Sequence, residues 1–280
     1  MNNTSEKKEQ NVMPNGNLDL QRFELYVQER KPFTFVRFSD GEIEILRNRK
    51  LVIANGITEF KGQILNNQYP EFDQKRFDPS KGQTVRSDLL KSAIYSNETY
   101  FKGIPTSHNN MLEDREFMLR LNGGFSSQIT FSDLFLNSNV NKSRSTFFPF
   151  IVSNFEQINI VANWRCKLSG ILSRGKLVQI PDDFFSSYEV TLKSVMSVLQ
   201  EIPKYSLVLS SASSLSNVIG MQLRIIRPDL TFLDIGTVLN DYLGLPLGTR
   251  TYHKYINPRT ITEYIDALRY RYRNEYKIKW

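Results

Sequence analysis

The chain has 280 residues, of which 40% are hydrophobic and 12% aromatic, a composition typical of a globular protein large enough for one α/β domain. Its single cysteine, Cys166, excludes an internal disulfide, and two histidines are too few for a Cys/His zinc site. The net charge of +7 favours anionic ligands, and the sequence contains neither an apolar run of about 20 residues nor a recognisable secretory leader. We therefore expect a cytoplasmic protein.

The amino-terminal third begins with a polar segment and then alternates between helix and strand. Residues 1–17 predict a mobile tail, and helical spacing follows over residues 18–29, with Asn17 as the expected N-cap. The apolar run of residues 33–38 predicts a buried strand, which leads into a short helix ending near residue 49. The chain then turns polar.

Residues 55–82 are rich in Asn, Gln, Gly, Pro and charge and predict a long loop, with one helical turn near residues 60–65. Helices are then predicted near residues 87–98, 112–121, 143–156, 167–173, 187–201 and 215–226. Strands, or at 128–136 an apolar stretch, are predicted at residues 100–105, 128–136, 158–162, 176–180, 205–210 and 230–235. This alternation predicts an α/β fold with a Rossmann-like, mostly parallel, doubly wound sheet flanked by helices.

The carboxyl-terminal region follows the predicted sheet. Residues 240–259 are loop-like and close a domain that we place at residues 18–259. Residues 260–280 interleave Tyr with Arg and Lys and predict a basic, aromatic helix packed on that domain. The alternatives for this helix are contact with an anionic membrane surface or with nucleic acid.

Two carboxylates one residue apart, Asp40 and Glu42, follow the first predicted strand, with Gly41 between them. Open α/β sheets bind ligands beyond the carboxyl ends of their strands. Oxygen ligands at that position suit a hard cation such as Mg²⁺ or Mn²⁺, held jointly with substrate phosphates. The simpler interpretation is a strand-to-helix turn, in which Asp40 is the N-cap and Glu42 lies in the first helical turn.

A second strand-end segment is rich in hydroxyl groups. Four serines lie between a predicted strand and a predicted helix, namely Ser210, Ser211, Ser213 and Ser214. Small residues at a helix start allow backbone amides to approach a phosphate, whereas the simpler interpretation is an ordinary N-cap. The sequence contains no Gly-x-Gly-x-x-Gly and no Walker A motif, which are the signatures of the common dinucleotide-binding and P-loop sites.

Other candidate residues also follow predicted strands or lie in loops. Asn163, Trp164 and Arg165 offer contacts to a diphosphate and a ring for stacking, or else form a surface turn with Trp164 in the core. Asp234 ends the last predicted strand, where a carboxylate suits ribose, a metal or a neighbouring amide. His253 lies in a polar loop, where it can bind phosphate or metal, transfer a proton, or simply be solvated.

The order of these motifs resembles the GT-D-fold glycosyltransferases, a family first described as a domain of unknown function in bacterial glycan assembly. The chain reads Arg-Phe-Ser-Asp-Gly-Glu at residues 37–42, which is similar to that family's Arg-Phe-Gly-Asp-Gly-Glu. The resemblance continues through the serine-rich turn within residues 205–223, the segment 233–236 and the loop histidine His253. The chain departs from the pattern at Ser39, which replaces a glycine, and it lacks the acid that often follows the loop histidine.

The resemblance implies a metal-dependent glycosyltransferase that moves a sugar from a UDP-sugar to a hydroxyl group. It implies that Asp40 and Glu42 hold Mn²⁺ or Mg²⁺ and that, with His253, they serve catalysis. Contacts to the nucleotide-sugar are then expected from residues Arg37, Asn163, Arg165, Ser211, Ser213, Ser214 and Asp234.

The partners that the resemblance implies are the nucleotide-sugar and a glycan acceptor. The expected acceptor is a growing bacterial surface or protein-linked glycan. A lipid-diphosphate anchor on that glycan would suit peripheral contact of the basic tail with the inner face of the plasma membrane. The alternatives are a non-catalytic nucleotide-binding module and a nucleic-acid-binding protein, although no nucleic-acid partner is expected. Whether the chain forms a homo-oligomer stays open.

Overall fold

The computed structural model describes residues 15–54, 57–66, 74–106 and 111–245. Most of the predicted amino-terminal tail, His253 and the predicted helix at 260–280 lie outside these residues. The described strands are β1 (Thr34–Arg37), β2 (Leu51–Ala54), β3 (Ile57–Phe60), β4 (Gln63–Asn66), β5 (Lys75–Phe77), β6 (Tyr100–Ile104), β7 (Ile129–Phe131), β8 (Ile158–Asn163), β9 (Lys176–Ile180), β10 (Leu207–Ser210) and β11 (Thr231–Asp234). The described helices are α1 (Gly16–Gln28), α2 (Asp40–Leu46), α3 (Gln83–Ile94), α4 (Leu112–Asn122), α5 (Val140–Lys142), α6 (Phe148–Ser153), α7 (Tyr188–Gln200) and α8 (Ser214–Ile226).

The centre of the fold is a seven-stranded sheet in the order β7-β6-β1-β11-β10-β8-β9. Each neighbouring pair in it is parallel. Parallel strands need crossover connections, and the helices supply them. The predicted Rossmann-like α/β fold is therefore confirmed.

Hydrophobic residues cover both faces of this sheet. Phe33 and Phe35 pack on one face, together with α1, α6 and the segment after β11, whereas Val36 and Phe38 pack on the other, with α3, α7 and α8. The alternation along β1 follows from the two-residue period of a strand. Both faces of β1 are buried, as a central parallel strand requires.

Two neighbouring strands send the chain to opposite faces. β8 and β10 are paired, but the segment after β8 packs with Cys166 and Leu172 on one face and α8 packs on the other. Such a reversal opens a crevice at the carboxyl ends of the two strands, where doubly wound folds bind ligands. The serine-rich turn follows β10, and Asn163 ends β8.

Over the described residues 57–66 and 75–77, the predicted loop and its helical turn near residues 60–65 are wrong. The chain there contributes β3, β4 and β5 to a four-stranded antiparallel sheet in the order β4-β3-β2-β5. β3 and β4 are joined by Lys61 and Gly62, which have φ angles of 51° and 73°. Positive φ at both central residues is typical of the two-residue turns that match the twist of a hairpin.

Helix starts and ends differ from prediction by a few residues for identifiable reasons. The N-cap of α1 is Asn15 rather than Asn17, because the Asn15 side chain accepts the amides of Asn17 and Leu18 at 3.1 and 3.3 Å. α2 ends at Leu46 rather than near residue 49, since Asn48 has a φ angle of 59°. The helix predicted near 167–173 is only a 3₁₀ turn at Gly170–Leu172.

Residues 140–153 form α5 and α6 with a π-helical turn, Ser143–Phe147, between them. The chain was predicted to be helical near 143–156, so the prediction holds for most of this segment. None of the helices in the described ranges combines the length and apolarity needed to traverse a bilayer.

Candidate functional site

Arg37 and Asp234 form a buried ion pair at the carboxyl edge of the central sheet. They end the paired strands β1 and β11, and Arg37 Nε lies 3.3 Å from Asp234 Oδ1. The same Asp234 oxygen accepts the amide of Gly236 at 3.0 Å. Gly236 has a φ angle of 49°, and a Cβ at this position would overlap the Arg37 guanidinium. Glycine is therefore required here both for the turn and for the close approach of Arg37.

The Asp-Gly-Glu motif forms the first turn of α2, and its cap is Ser39 rather than Asp40. Glu42 Oε2 accepts the backbone amide of Ser39 at 3.1 Å, as the third helical residue does in a capping box. Asp40 is partly exposed, and its Oδ1 accepts the amide of Gly41 at 3.1 Å. Glu42 thus serves the helix start, as the simpler interpretation expected of its position, and also lies inside a polar cluster.

The serine-rich turn joins the other two segments. Ser213 Oγ donates to Glu42 Oε1 at 3.2 Å, and Ser211 Oγ donates to the carbonyl of Gly236 at 2.7 Å. Ser213 has a φ angle of 50°, an uncommon conformation for serine and one often found at functional sites. The turn after β10 is therefore tied to the start of α2 and to the end of β11.

The remaining two serines of the turn face inward. Ser210 Oγ lies 2.8 Å from Ser216 Oγ, so its hydroxyl serves the turn itself. Ser214 Oγ is buried, and no partner for it occurs within the described part of the chain. Of the four serine hydroxyls predicted to bind phosphate, only those of the partly buried Ser211 and Ser213 are therefore accessible.

Burial dominates the electrostatics of this cluster. It raises the pKa of Glu42, with a further rise from the nearby Asp234 and Asp40 carboxylates, whereas Lys75 and Arg37 act in the opposite direction. Burial also raises the pKa of Asp234, and Arg37 opposes this. Three carboxyl groups thus share a site with two cations, so an added positive charge would stabilise their ionised forms.

At the end of β8, four residues form a second polar group, and Asp182 is its centre. Asp182 Oδ1 accepts Asn163 Nδ2 at 2.7 Å and also pairs with Arg165. Burial alone would raise the pKa of Asp182, but the donors Asn163, Arg165 and the Trp164 side chain together lower it. The carboxylate therefore stays ionised and holds three neighbouring side chains in place.

Trp164 lies on the surface beside this group. Its side chain is 52% exposed, so the alternative that placed it in the core is wrong. The Arg165 guanidinium lies 4.6 Å from the centre of its ring, and the Trp164 amide donates to Ile180 at 3.0 Å. The group is next to the serine-rich turn, since the Ser211 amide donates to Val161 of β8 at 2.8 Å.

The acidic residues of the first cluster are the candidate ligands for the expected cation. The described residues contain no group of three or more His, Cys, Asp or Glu side chains with the spacing of a metal site. Asp40 and Glu42 can still contribute one carboxylate each, and Mg²⁺ commonly takes one or two carboxylates with water and substrate phosphates. The excess of carboxyl groups over cations fits such an ion. The donor set is therefore compatible with a cation that substrate helps to hold.

The structure brings together Arg37, Asp40, Glu42, Ser211, Ser213 and Asp234 of the predicted site residues. Asn163 and Arg165 form the adjacent group, and Ser214 is turned inward. Sequence reasoning missed Asn217, which donates to the carbonyl of Arg37 at 2.7 Å, and Lys75, which reaches Glu42 electrostatically. The Ser39 cap had a readable signal, namely a serine followed three residues later by glutamate.

No protein-family profile and no curated protein sequence matches the chain. A solved structure described as a new glycosyltransferase of the domain of unknown function 1792, from Streptococcus sanguinis, matches with a TM-score of 0.50 at 15% identity, over 80% of this chain and 81% of that one. The fold is shared. The expected resemblance to the GT-D fold is thus confirmed for the architecture of the chain.

Two further structures of the domain of unknown function 1792 are similar. One, a selenomethionine-substituted structure, has a TM-score of 0.49 at 14% identity and covers 80% of this chain and 78% of that one. The other is described as having a distinct glycosyltransferase fold, with a TM-score of 0.47 at 13% identity over 81% and 84% of the two chains.

Proposed function

We propose that the chain is a glycosyltransferase that transfers a sugar from a nucleotide-sugar of the UDP class to a hydroxyl group of a glycan. The observation that carries the proposal is the joining of Glu42, Ser213 and the Arg37–Asp234 pair at one edge of the sheet. That edge is where doubly wound folds bind ligands. The fold shared with a protein described as a glycosyltransferase supports the same class of reaction.

The donor diphosphate would lie over the serine-rich turn. The turn leads into the thirteen-residue helix α8, whose amino-terminal amides and dipole favour an anion. Ser211 and Ser213 stand at its rim, and Arg37 adds a fixed positive charge beside it. Because Asp234 and the carbonyl of Ser132 hold the guanidinium, Arg37 need not be reordered when a phosphate arrives.

A divalent cation, Mn²⁺ or Mg²⁺, held by Asp40 and Glu42, would offset the charge that develops on the leaving diphosphate. The chain's part is to hold both carboxylates in place. Glu42 is oriented by the Ser39 amide and the Ser213 hydroxyl, while Lys75 and Arg37 lower its pKa against the effect of burial. Asp40, being partly exposed, offers the accessible carboxylate.

The acceptor would approach from the solvent side of the cluster. In our proposal it is a surface or protein-linked glycan, and His253, which lies outside the described residues, is the candidate for proton transfer or phosphate contact. Asp234 is buried and paired with Arg37, so we assign it to positioning that arginine rather than to proton transfer.

Removing either carboxylate tests the proposal. We expect Asp40→Asn and Glu42→Gln to lower Mn²⁺-dependent turnover of a panel of UDP-sugars about 100-fold or more, since each removes charge next to the leaving diphosphate. Thermal midpoints should change by only a few degrees, because an amide oxygen at position 42 can still accept the Ser39 amide. Glu116→Gln, the same change on the exposed part of α4, is the control and should leave turnover unchanged.

Two outcomes would contradict the proposal. Unfolding of both variants would assign the carboxylates to helix capping alone. If the unaltered chain binds UDP with Mn²⁺ but turns over none of the donors, the chain is a nucleotide-binding module rather than an enzyme.

Trp164 supports a second prediction about the donor. Its indole is exposed and held in place by Asp182 next to the proposed diphosphate position, which suits stacking against a planar base. We expect Trp164→Ala to raise the KM for the donor about tenfold while kcat changes little, and Trp164→Phe to keep most of the affinity. Steady-state kinetics measure both. An unchanged KM in Trp164→Ala would exclude stacking.

A further inference from the structure

A cavity of about 510 Å³ lies at the opposite, amino-terminal edge of the central sheet. Its walls include Pro32, Gln157 and Tyr205, which precede β1, β8 and β10, and Thr231, with which β11 begins. The volume falls within the range of about 300–1,000 Å³ typical of small-molecule sites. The residues of the candidate catalytic site end these same strands, so the two sites are separated by the length of the sheet.

Cationic side chains are in excess in the lining. Arg30, Lys31 and Lys204 contribute to the walls, and within the described ranges none of the three has a carboxylate at ion-pair distance. The lining also contains two acidic residues, Glu156 and Asp229. Asp229 is paired with Arg227, whose Nη2 lies 2.7 Å from Asp229 Oδ2, and it also interacts electrostatically with Lys204. The cavity therefore favours an anion.

Aromatic rings supply the rest of the chemistry. Tyr26, Phe155 and Tyr205 line the cavity, and the Tyr205 side chain is 62% exposed. Lys31 Nζ lies 4.4 Å from the centre of the Tyr26 ring, so that one cation is held against the wall. An exposed ring beside several cations, one of them held in place, suits a ligand that is both planar and charged.

The backbone conformation of two lining residues independently indicates that their side chains have a role in the cavity. Arg30 has a φ angle of 53° and follows α1. The Lys31 amide donates to the backbone carbonyl of Tyr26 at 2.8 Å, and the Arg30 amide donates to that of Val27 at 3.1 Å. This is the pattern in which glycine is preferred at the position of Arg30. Tyr205 has a φ angle of 58°, which is rarer still for a bulky residue.

Local backbone chemistry thus favours glycine or asparagine at two positions, yet the chain has arginine and tyrosine there, and both line one cavity. We propose that this cavity binds a small phosphorylated ligand with a planar ring, of the mononucleotide class. The phosphate contacts Arg30 and Lys204, because guanidinium and ammonium groups are the usual phosphate partners. The base stacks on Tyr205. The inference does not depend on the proposed function.

The test uses the full chain with UMP, AMP and inorganic phosphate as probes, in EDTA so that no divalent cation supports binding at the other edge. Binding is measured by calorimetry. We expect UMP or AMP to bind more tightly than phosphate, and Arg30→Gly and Tyr205→Asn each to weaken binding about tenfold or more. Both replacements accept a positive φ angle, so the thermal midpoint should stay the same or rise.

Two controls locate the site. Asn48→Gly changes another residue with a φ angle of 59°, at the end of α2 and away from the cavity, and should leave nucleotide binding unchanged. Glu116→Gln should also leave it unchanged, because Glu116 is exposed on α4 and does not line the cavity.

The proposal is overturned by any of three results. The first is that neither nucleotide binds in EDTA. The second is that phosphate binds as tightly as both nucleotides, and the third is that nucleotide binding survives in Arg30→Gly and Tyr205→Asn. Unchanged binding with a lower thermal midpoint in Arg30→Gly would assign Arg30 to the dipole of α1 instead.

Discussion

Lys102 lies on β6 with its ammonium group buried against the ends of two helices. Its Nζ donates to the carbonyls of Ala93 and Tyr95 at 3.1 and 2.8 Å and to the Asn122 side chain. No carboxylate is among these partners. Burial lowers the pKa of Lys102 to about 8 from an ordinary 10.5. Between these two pH values the unfolded chain binds more protons than the folded one, so the free energy of unfolding should rise as pH increases.

This gives a residue-scale prediction. Lys102→Met should abolish the part of that rise which Lys102 causes, up to about 3 kcal/mol between pH 8 and pH 10.5. Urea unfolding of both chains at these two pH values measures it. Lys91→Met, at an exposed lysine on α3, is the control and should keep the full rise. An equal rise in the Lys102 variant and the unaltered chain would show that the lysine is not desolvated.

At the scale of elements, the small antiparallel sheet depends on one buried acid. Asp114 on α4 accepts Arg47 Nη2 at 3.0 Å and Lys61 Nζ at 2.9 Å, and so ties the β3–β4 turn to the end of α2. Asp114→Asn would leave both cations without this carboxylate, at a cost of about 2 kcal/mol. In the Asp114→Asn variant we expect the rate of amide hydrogen exchange to increase more in β3 and β4 than in β1. Glu113→Gln removes a pair with the same Arg47, but Glu113 is exposed, so it should have little effect.

At the scale of the whole molecule, two hydrophobic clusters share one sheet. Ile160 belongs to one and Ile219 to the other, and both are fully buried. Because β8 and β10 contribute side chains to both clusters, neither cluster can unfold unless the sheet unfolds with it. We expect Ile160→Val and Ile219→Val each to cost about 1 kcal/mol and to lower the thermal midpoint by about 3 °C. Calorimetry should show one transition, with additive shifts in the double variant. Two separate transitions would contradict this.

How far the fold was predictable depends on the period of the hydrophobic pattern. Strands such as β10 were predicted because they are short and mostly apolar. Strands β3, β4 and β5 of the small sheet were missed because they are only three or four residues long and carry Thr, Glu, Gln, Lys and Arg, whereas β2 is wholly apolar and was a readable strand signal. In that range composition resembled a loop, and the Lys61–Gly62 turn was the readable sign of a hairpin.

The candidate site was predictable where residues directly follow strands. Arg37, Ser211 and Asp234 meet because parallel strands bring their carboxyl ends to one edge. Asn217 was not predictable, since its partner Arg37 is 180 residues away and the contact depends on how α8 packs. Asp182 was missed for the same kind of reason: its link to Asn163 spans 19 residues and crosses from β8 to the segment after β9.

The double engagement of Glu42 has a practical consequence for spectroscopy. One of its oxygens holds the Ser39 amide proton and the other receives the Ser213 hydroxyl, so any change in the charge of this carboxylate alters the electron density felt by that proton. The Ser39 amide resonance is thus a built-in sensor of occupancy. A titration followed by nitrogen–proton correlation spectra could read affinity for metal or nucleotide directly from its chemical shift, without a label on either.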